Sequence, residues 1–226
     1  MVHFEFLESL GASLAVMSDK SDGDCRLNGD CGREAQSQFF AACGVGPERV
    51  AHGQQIHGTC VRPARKGDAF PYSNTDGLIT DVSGLPLVVS VADCVPLYLF
   101  DPVRRVVGIV HAGRAGTRGN IAAQAVATMV REYEVSPSTV RAVVGPSAGP
   151  SAYEVSQELA DDFAGAGLPV RGRLLDLWEA NAIQLVAAGV PRANIEVSGI
   201  CTITTGRFHS HRADANGARN LALIML

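Results

Sequence analysis

The stretch Leu85 to Gly119, LPLVVSVADCVPLYLFDPVRRVVGIVHAGRAGTRG, decides how the chain is read. Two apolar runs, Leu85–Phe100 and Val106–Val110, flank the turn signal Asp101-Pro102. Apolar runs rich in β-branched residues around such punctuation predict the two strands of a hairpin. The first run carries Asp93-Cys94, and the second ends at His111, where a glycine-rich segment opens. The connection sets the geometry. A two-residue turn puts Cys94 directly across from His111, a four-residue loop makes them diagonal neighbours on one face, and a three-residue loop separates them onto opposite faces. Directly opposed β carbons lie about 4.5–5.5 Å apart, close enough for a shared hydrogen bond or metal ion. A thiol beside an imidazole at a strand end marks a candidate active site.

The bulk numbers exclude several classes. With 226 residues and 46% hydrophobic content, the chain can build one globular domain with a large core, or two small ones. A net charge of −4, a pI near 5.8 and the lack of any long Lys/Arg run argue against nucleic acid as a partner. No window approaches the ~18 uncharged apolar residues of a membrane span. The N-terminal MVHFEFLESL lacks the basic region and long apolar core of a signal peptide, so a cytoplasmic location is expected. Six cysteines (25, 31, 43, 60, 94 and 201) form no CxxC pair and read as reduced thiols.

Residues 2–8 and 12–17 read as short strands about Gly11. The acidic loop Ser18–Gly32 carries Asp19, Asp22, Asp24 and Asp30, but it lacks the terminal Glu of a calcium loop and reads as solvated. A helix is expected over Glu34–Cys43, stopped by Gly44, and a strand over Val50–Val61, with His57 beside Gly58. Leu78–Thr80 reads as a strand after the turn Thr75-Asp76-Gly77. Beyond the hairpin, Ala112–Gly119 leads into a helix at Asn120–Tyr133, buried through Ile121, Ala125, Val126, Met129 and Val130. That glycine-rich connection is either an anion site, helped by Arg114 and Arg118, or a turn that needs glycine for its geometry. Val140–Val144 is a strand, Ser156 opens a helix to about Phe163, and Leu174–Ala188 is a longer helix ended by Gly189. Ile195–Thr204 and Ala222–Leu226 read as strands around the polar stretch FHSHRADANGARN. Strands in runs with helices between, without regular βαβ alternation, indicate an α+β fold.

Five segments in order resemble the YfiH-like family, also called the laccase-domain or peptidoglycan-editing-factor family. They are Gln55-Ile-His-Gly58, Thr75-Asp76-Gly-Leu-Ile-Thr80, Ala92-Asp-Cys-Val-Pro96, His111-Ala-Gly113, and Gly145-Pro146 with Tyr153-Glu-Val155. Cys201-Thr202 and the stretch holding Ser210, Arg212 and Asp214 extend the match. The resemblance implies a single domain over 1–226, with a mixed β-sheet core flanked by helices in a YfiH-like (cysteine-hydrolase-like) arrangement. It also implies that His57, Cys94 and His111 bind a catalytic metal, taken as zinc, with copper as the alternative. Members are described as purine nucleoside phosphorylases and deaminases, polyphenol oxidases, and hydrolases that edit peptidoglycan precursors. The sequence departs from the family's His-Ala-Gly-Trp-Arg-Gly at Arg114 and Ala115, and from Phe-Ser-Tyr-Arg-Arg-Asp-Gly at Phe208-His-Ser-His-Arg212-Ala-Asp214-Ala215. A stacking aromatic and two arginines are thereby missing or displaced.

One thiolate and two imidazoles give zinc three ligands and an open fourth position, the pattern of catalytic sites. The leading expectation is a zinc-dependent enzyme that cleaves adenosine- and inosine-type purine nucleosides by phosphorolysis, with deamination as a possible addition, and with Gln55, Arg114, Arg118 and Arg212 on the substrate and phosphate. The alternatives are a metal-free cysteine hydrolase with a Cys94–His111 dyad, a copper polyphenol oxidase, and a relative that keeps the metal without activity. The assembly expected is a monomer or small homo-oligomer.

Overall fold

The computed structural model describes residues 1–27, 32–46 and 49–226; Asp30 of the acidic loop and Cys31 lie outside them. The chain begins with β1 (Val2–His3), α1 (Glu5–Glu8), β2 (Leu14–Met17) and α2 (Arg33–Ala42). Five strands follow: β3 (Val61–Pro63), β4 (Gly77–Thr80), β5 (Leu87–Val91), β6 (Val95–Asp101) and β7 (Val106–Ala112). After them come α3 (Arg114–Arg118), α4 (Ile121–Tyr133), β8 (Arg141–Val144) and α5 (Gln157–Gly165). The last part holds β9 (Val170–Arg171), β10 (Leu174–Leu175), α6 (Leu177–Ala187), β11 (Ile195–Val197), α7 (His211–Asp214) and β12 (Asn220–Met225).

Two main sheets result, ordered β1-β2-β12-β5 and β11-β8-β6-β7-β4-β3, with β9 and β10 as a separate antiparallel pair. The second sheet is mixed, since β3–β4 and β8–β11 run parallel and its other neighbours antiparallel. Between the sheets, Met17, Leu87, Val89, Ala222 and Ile224 pack against Leu78, Tyr98, Phe100, Val107, Ile109 and Val143. The far face of the second sheet is covered by α4 and α6, with Leu97, Leu99 and Val110 against Ile121, Ala125, Met129 and Leu185. Phe39 and Phe40 of α2 cover Val16, Val88, Leu221 and Leu223 on the first sheet. The order of layers is helix, sheet, sheet, helix, an α+β architecture with its β core flanked by helices. Strands β6 and β7 are buried at every position, which explains their unbroken apolar runs: each face meets a core.

The hairpin has a four-residue connection, Pro102 to Arg105, and pairs Val95 with Ala112 and Pro96 with His111. Cys94, two residues before Pro96, is thus the diagonal neighbour of His111, as a four-residue loop demands. The run Leu85–Phe100 is not one strand. It breaks at Asp93, whose φ of 79° turns the chain from the first sheet into the second.

Other expectations change in detail. Residues 2–8 divide into β1 and the helical turn α1, whose Ser9 N–H bonds back to Glu5. Of Val50–Val61, only Val61 joins a ladder, as the start of β3; the rest makes isolated bridges, Ala51 to Leu87 and Gly53 to Tyr72, because the N–H groups of Ile56, His57 and Gly58 bond to the Asp76 side chain instead of to a strand. Val130 is 41% exposed and lies off the buried stripe of α4. The helix expected from Leu174 starts at Leu177, since Asp176 caps it by accepting the Glu179 N–H at 2.9 Å while Leu174–Leu175 pairs with β9. The strand from Ile195 ends at Val197, shortly before Gly199 at φ 66°. Within the acidic loop, Asp19 accepts from Ser21 and Arg207, and Asp24 from Arg26 and the Arg219 backbone, so these carboxylates are already paired. No helix among the described residues is long and apolar enough to cross a membrane.

Candidate active site

The hairpin register delivers two of the three expected ligands and a loop delivers the third. Cys94 and His111 come from the ends of β6 and β7, and His57 from the 53–58 segment. One ligand atom from each lies within 4.8 Å of the other two, and the two imidazole rings meet edge to face with centroids 4.7 Å apart. His111 is buried, Cys94 half-buried and His57 exposed.

Asp76 organises the group. It is fully buried, and its carboxylate oxygens accept the backbone N–H groups of Ile56 (3.2 Å), His57 (2.9 Å) and Gly58 (2.8 Å). The same carboxylate lies 2.9 Å from His111 Nδ1, so that nitrogen carries its proton toward Asp76 and Nε2 is left for the cluster. Its position follows from the ladder: Gly77 pairs with Val110, and the His111 N–H bonds to the Asp76 carbonyl at 2.7 Å. His57 has φ 60°, a conformation uncommon for a residue with a β carbon; the Asp76 bonds hold it there. Although burial pushes the Asp76 carboxyl up, its bonds from His111, Gly58 and Ile56 outweigh that and keep it below its usual range.

Charge is concentrated between Cys94 and His111. Burial alone would raise the Cys94 thiol, yet hydrogen bonding from His111 and His57 brings it down to about 6. Burial favours neutral His111, but its bonds to Asp76 and Cys94 raise it to about 9. Without a metal the pair is thiolate and imidazolium at neutral pH.

Glycines supply room where the sequence suggested an anion loop. A β carbon on Gly113 would meet Cys94 Sγ at 2.9 Å and His57 Cδ2 at 3.2 Å. One on Gly116 would sit 3.0 Å from the Gly58 carbonyl, and one on Gly119 2.6 Å from Thr59. The segment is the short helix α3, pressed against the His57 loop, and its Thr117 and Gly119 N–H groups bond internally to Gly113 and Ala115. Glycine is needed here for close approach, the second of the two readings.

A cavity of about 790 Å³ opens over the cluster, with Gln55, Arg114, Tyr153 and Arg212 in its wall. The Gln55 amide is committed to both backbone groups of Ser90, at 2.8 and 2.9 Å, which docks the His57 loop on β5. Arg212 lies over the Tyr153 ring at 5.3 Å, donates to the Glu154 carbonyl, and bonds through its own N–H to Asp93 Oδ2 at 2.7 Å. Asp93 also accepts from the Thr202 hydroxyl at 2.6 Å, joining the strand break beside Cys94 to the C-terminal segments. Arg118, expected at the anion site, points elsewhere: its guanidinium makes a two-pronged pair with Asp162 on the exposed surface. The sequence reading assigned no role to Asp76, Asp93 or Tyr153, although all three sit inside the quoted motifs.

The family model described as multi-copper polyphenol oxidoreductase laccase matches residues 27–226. The chain belongs to this YfiH-like family. A YfiH-like relative from Geobacillus stearothermophilus, named purine nucleoside phosphorylase YlmD, is 36% identical over 198 residues, covering 78% of this chain and 72% of that protein. A purine nucleoside phosphorylase of Deinococcus radiodurans is 37% identical over 188 residues, covering 80% and 72%. The crystal structure of YlmD from Geobacillus stearothermophilus superposes with a TM-score of 0.85 at 31% identity, over 94% of this chain and 91% of that one. That of the Bacillus licheniformis hypothetical protein YfiH gives 0.84 at 30% identity, over 94% and 92%.

The YfiH-like donor set fits a single metal ion. Ligands 2.0–2.3 Å from one centre lie about 3.5 Å apart, so groups already within 4.8 Å need only close slightly. The Asp76–His111 contact is the carboxylate partner that metal-bound histidines carry. Cys94 is held as the thiolate that a metal requires. Of the other histidines, His3 pairs with Glu8, His52 with the Val50 carbonyl and His209 with the Gly23 carbonyl, away from this cluster. Among the described residues His57, Cys94 and His111 form the one such ligand group.

Proposed function

We propose that the protein is a zinc-dependent purine nucleoside phosphorylase, acting on adenosine- and inosine-type nucleosides with inorganic phosphate. The observation that carries this reading is the convergence of His57, Cys94 and His111 at a cavity walled by arginine and tyrosine. The phosphorylase names of YfiH-like relatives support it. When bound, zinc held by these three residues supplies a Lewis acid with one open position; three protein donors of which one is thiolate suit zinc better than the larger histidine set of a multicopper centre. Arg114 and Arg212 hold the phosphate by charge-assisted hydrogen bonds, and the Tyr153 ring gives the base an apolar face. Phosphorolysis breaks the C1′–N9 bond, forms a C1′–O bond to phosphate, and passes the proton of hydrogen phosphate to the departing base. Asp76 fixes the His111 ring and the His57 backbone so that neither ligand moves during the reaction. Deamination of the same base is a second outcome of the same site, with water in place of phosphate. The reading describes a single-domain cytoplasmic enzyme, a monomer or small homo-oligomer; the free thiols of Cys25, Cys43, Cys60, Cys94 and Cys201 suit a reducing compartment.

The test is metal removal and restoration, scored by phosphate-dependent release of purine from adenosine and inosine. Activity lost to a strong chelator and restored by zinc supports the reading. Activity indifferent to chelator but abolished by a thiol alkylator would replace it with a cysteine hydrolase using Cys94 and His111. Within the zinc enzyme, Arg114→Ala should raise the KM for phosphate about ten- to a hundredfold with zinc content unchanged. Equal phosphate titrations for parent and variant would move the phosphate away from Arg114.

A further inference from the structure

Among the described residues Asp93 is the only carboxylate in the cavity wall, and a wall that binds an anion gains nothing from a negative charge. Its hydrogen bonds give it another use. The side chain is 8% exposed and both oxygens are committed to the C-terminal part of the chain: Oδ1 accepts the Thr202 hydroxyl at 2.6 Å, and Oδ2 accepts the Arg212 backbone N–H at 2.7 Å. Thr202 is buried, so the first of these bonds is shielded from water. The backbone of Asp93 is committed as well, with φ 79° at the turn between the sheets and its carbonyl accepting the Ala148 N–H at 2.9 Å.

Arg212 is the residue that this arrangement fixes. Its N–H lies in the first turn of α7, where helix donors lack partners within the helix. Ser210 accepts from the Ala213 N–H and Asp214 from the Ser210 N–H, which closes the turn on itself. Asp93 then ties the closed turn to the residue before Cys94. At the far end of the side chain, the guanidinium lies over the Tyr153 ring at 5.3 Å and donates to the Glu154 carbonyl at 2.8 Å. Arg114 differs, since it makes no hydrogen bond or ion pair with the described residues. One arginine is thus set in place before an anion arrives, which spares ordering cost on binding, and the other is free to follow the anion.

We infer that Asp93 is a positioning residue: its carboxylate holds α7 so that the Arg212 guanidinium stands at a fixed place relative to Cys94 and can receive phosphate there. The inference rests on the phosphorylase reading for the identity of the anion. Charge and position act in opposite directions here. As a negative charge Asp93 repels phosphate; as an acceptor it orients an arginine that attracts it. Asparagine separates the two, because its Oδ1 can accept the Arg212 N–H while its amide donates to Thr202 Oγ1, and it tolerates φ 79°. Glycine adopts the same φ without strain but removes both bonds along with the charge.

The test is calorimetric titration of the full chain with inorganic phosphate at full zinc occupancy, with KM for phosphate and kcat of purine release as the second readout. Asp93→Gly should weaken phosphate about tenfold and raise its KM by the same factor, a part of what deleting a charged partner costs. Asp93→Asn should rescue the affinity to the parent value or better. A role through charge alone predicts tighter binding in both variants, and that result overturns the inference. Action through Arg212 is read from the double variant: on an Arg212→Gln background, Asp93→Gly should cost nothing further, whereas losses that multiply count against it. If thermal melting shows Asp93→Gly misfolded, Thr202→Val takes its place; it strips one donor from the same carboxylate and should weaken phosphate less, again with no effect beside Arg212→Gln. Unchanged affinity in the folded variant overturns the positioning role. A parent that cleaves nucleosides with phosphate yet is indifferent to these changes leaves the phosphorylase standing without it. A parent that binds phosphate with the Asp93–Arg212 coupling but cleaves no nucleoside overturns the phosphorylase and keeps the positioning role. Absence of any phosphate binding overturns both.

Discussion

The two ligands on the β6–β7 hairpin and the one on the 53–58 loop reach the same point by different physics. Cys94 and His111 are placed by a ladder buried on both faces, so shifting either strand by one residue would turn a whole apolar set the wrong way. His57 has no ladder. It stands exposed at φ 60°, and its position depends on hydrogen bonds to one buried carboxylate. The hairpin half of the site is secured by the core as a whole; the loop half is secured by a few hydrogen bonds, those to Asp76 and those of Gln55 to Ser90.

Asp76→Ala should therefore give the largest loss. It strips the acceptor from three backbone N–H groups and from His111, and each buried group left unpaired costs about 1–3 kcal/mol. A drop of several kcal/mol in unfolding free energy with loss of metal binding is expected, read by denaturant titration and metal analysis. A variant that keeps its metal binding and its stability would show that the loop holds itself.

Titration addresses the hairpin half next. In metal-free protein, Cys94 should alkylate with a midpoint near 6, in place of an ordinary thiol near 9.0. The stability contributed by Cys94 is complete above pH 9 and lost as pH falls through about 6. That contributed by His111 is complete below 6.5 and lost as pH rises through about 9. Across that window the two slopes oppose, so the pair should shift thiol reactivity strongly while leaving the melting temperature nearly flat. A steep melting profile between pH 6.5 and 9 would mean that only one of the two is perturbed.

Gly113→Ala touches both halves, because the new methyl group meets Cys94 on the hairpin side and His57 on the loop side. Metal affinity should fall about ten- to a hundredfold, the size of effect seen when ligand orientation is disturbed, with the fold retained. Unchanged affinity would mean that the loop yields freely. The smallest effect belongs to Arg118→Ala, which removes an exposed pair with Asp162 and should leave both the phosphate dependence and the zinc content alone.

The same contrast explains what could be read in advance. The hairpin and most helices follow from apolar period and turn residues, which are local signals, whereas the facing of Cys94 and His111 depends on a loop length that the sequence leaves open among three cases. Asn120 and Ser156 cap α4 and α5 close to where the pattern placed them. What escaped is long-range. Asp76 is 18 to 20 residues from the N–H groups it accepts and 35 from the ring it orients, and no spacing rule marks such a hub. Val50–Val61 alternates like a strand but makes only isolated bridges before Val61 opens β3, so its pattern overstated the strand. Asp176 showed how a cap inside an apolar run shortens a helix, a signal present in the sequence and passed over.

The turn at Asp93 has a consequence for assembly. Because β5 and β6 belong to different sheets, the peptide carrying Cys94 is a seam between two layers, yet the pairing of β6, β7 and β4 in the second sheet is what brings Cys94, His111 and Asp76 together. A partly folded chain in which those three strands are unpaired has no place to hold a metal ion. Binding energy then accrues to the chain whose second sheet has formed, and metal occupancy becomes a report on whether that sheet has folded.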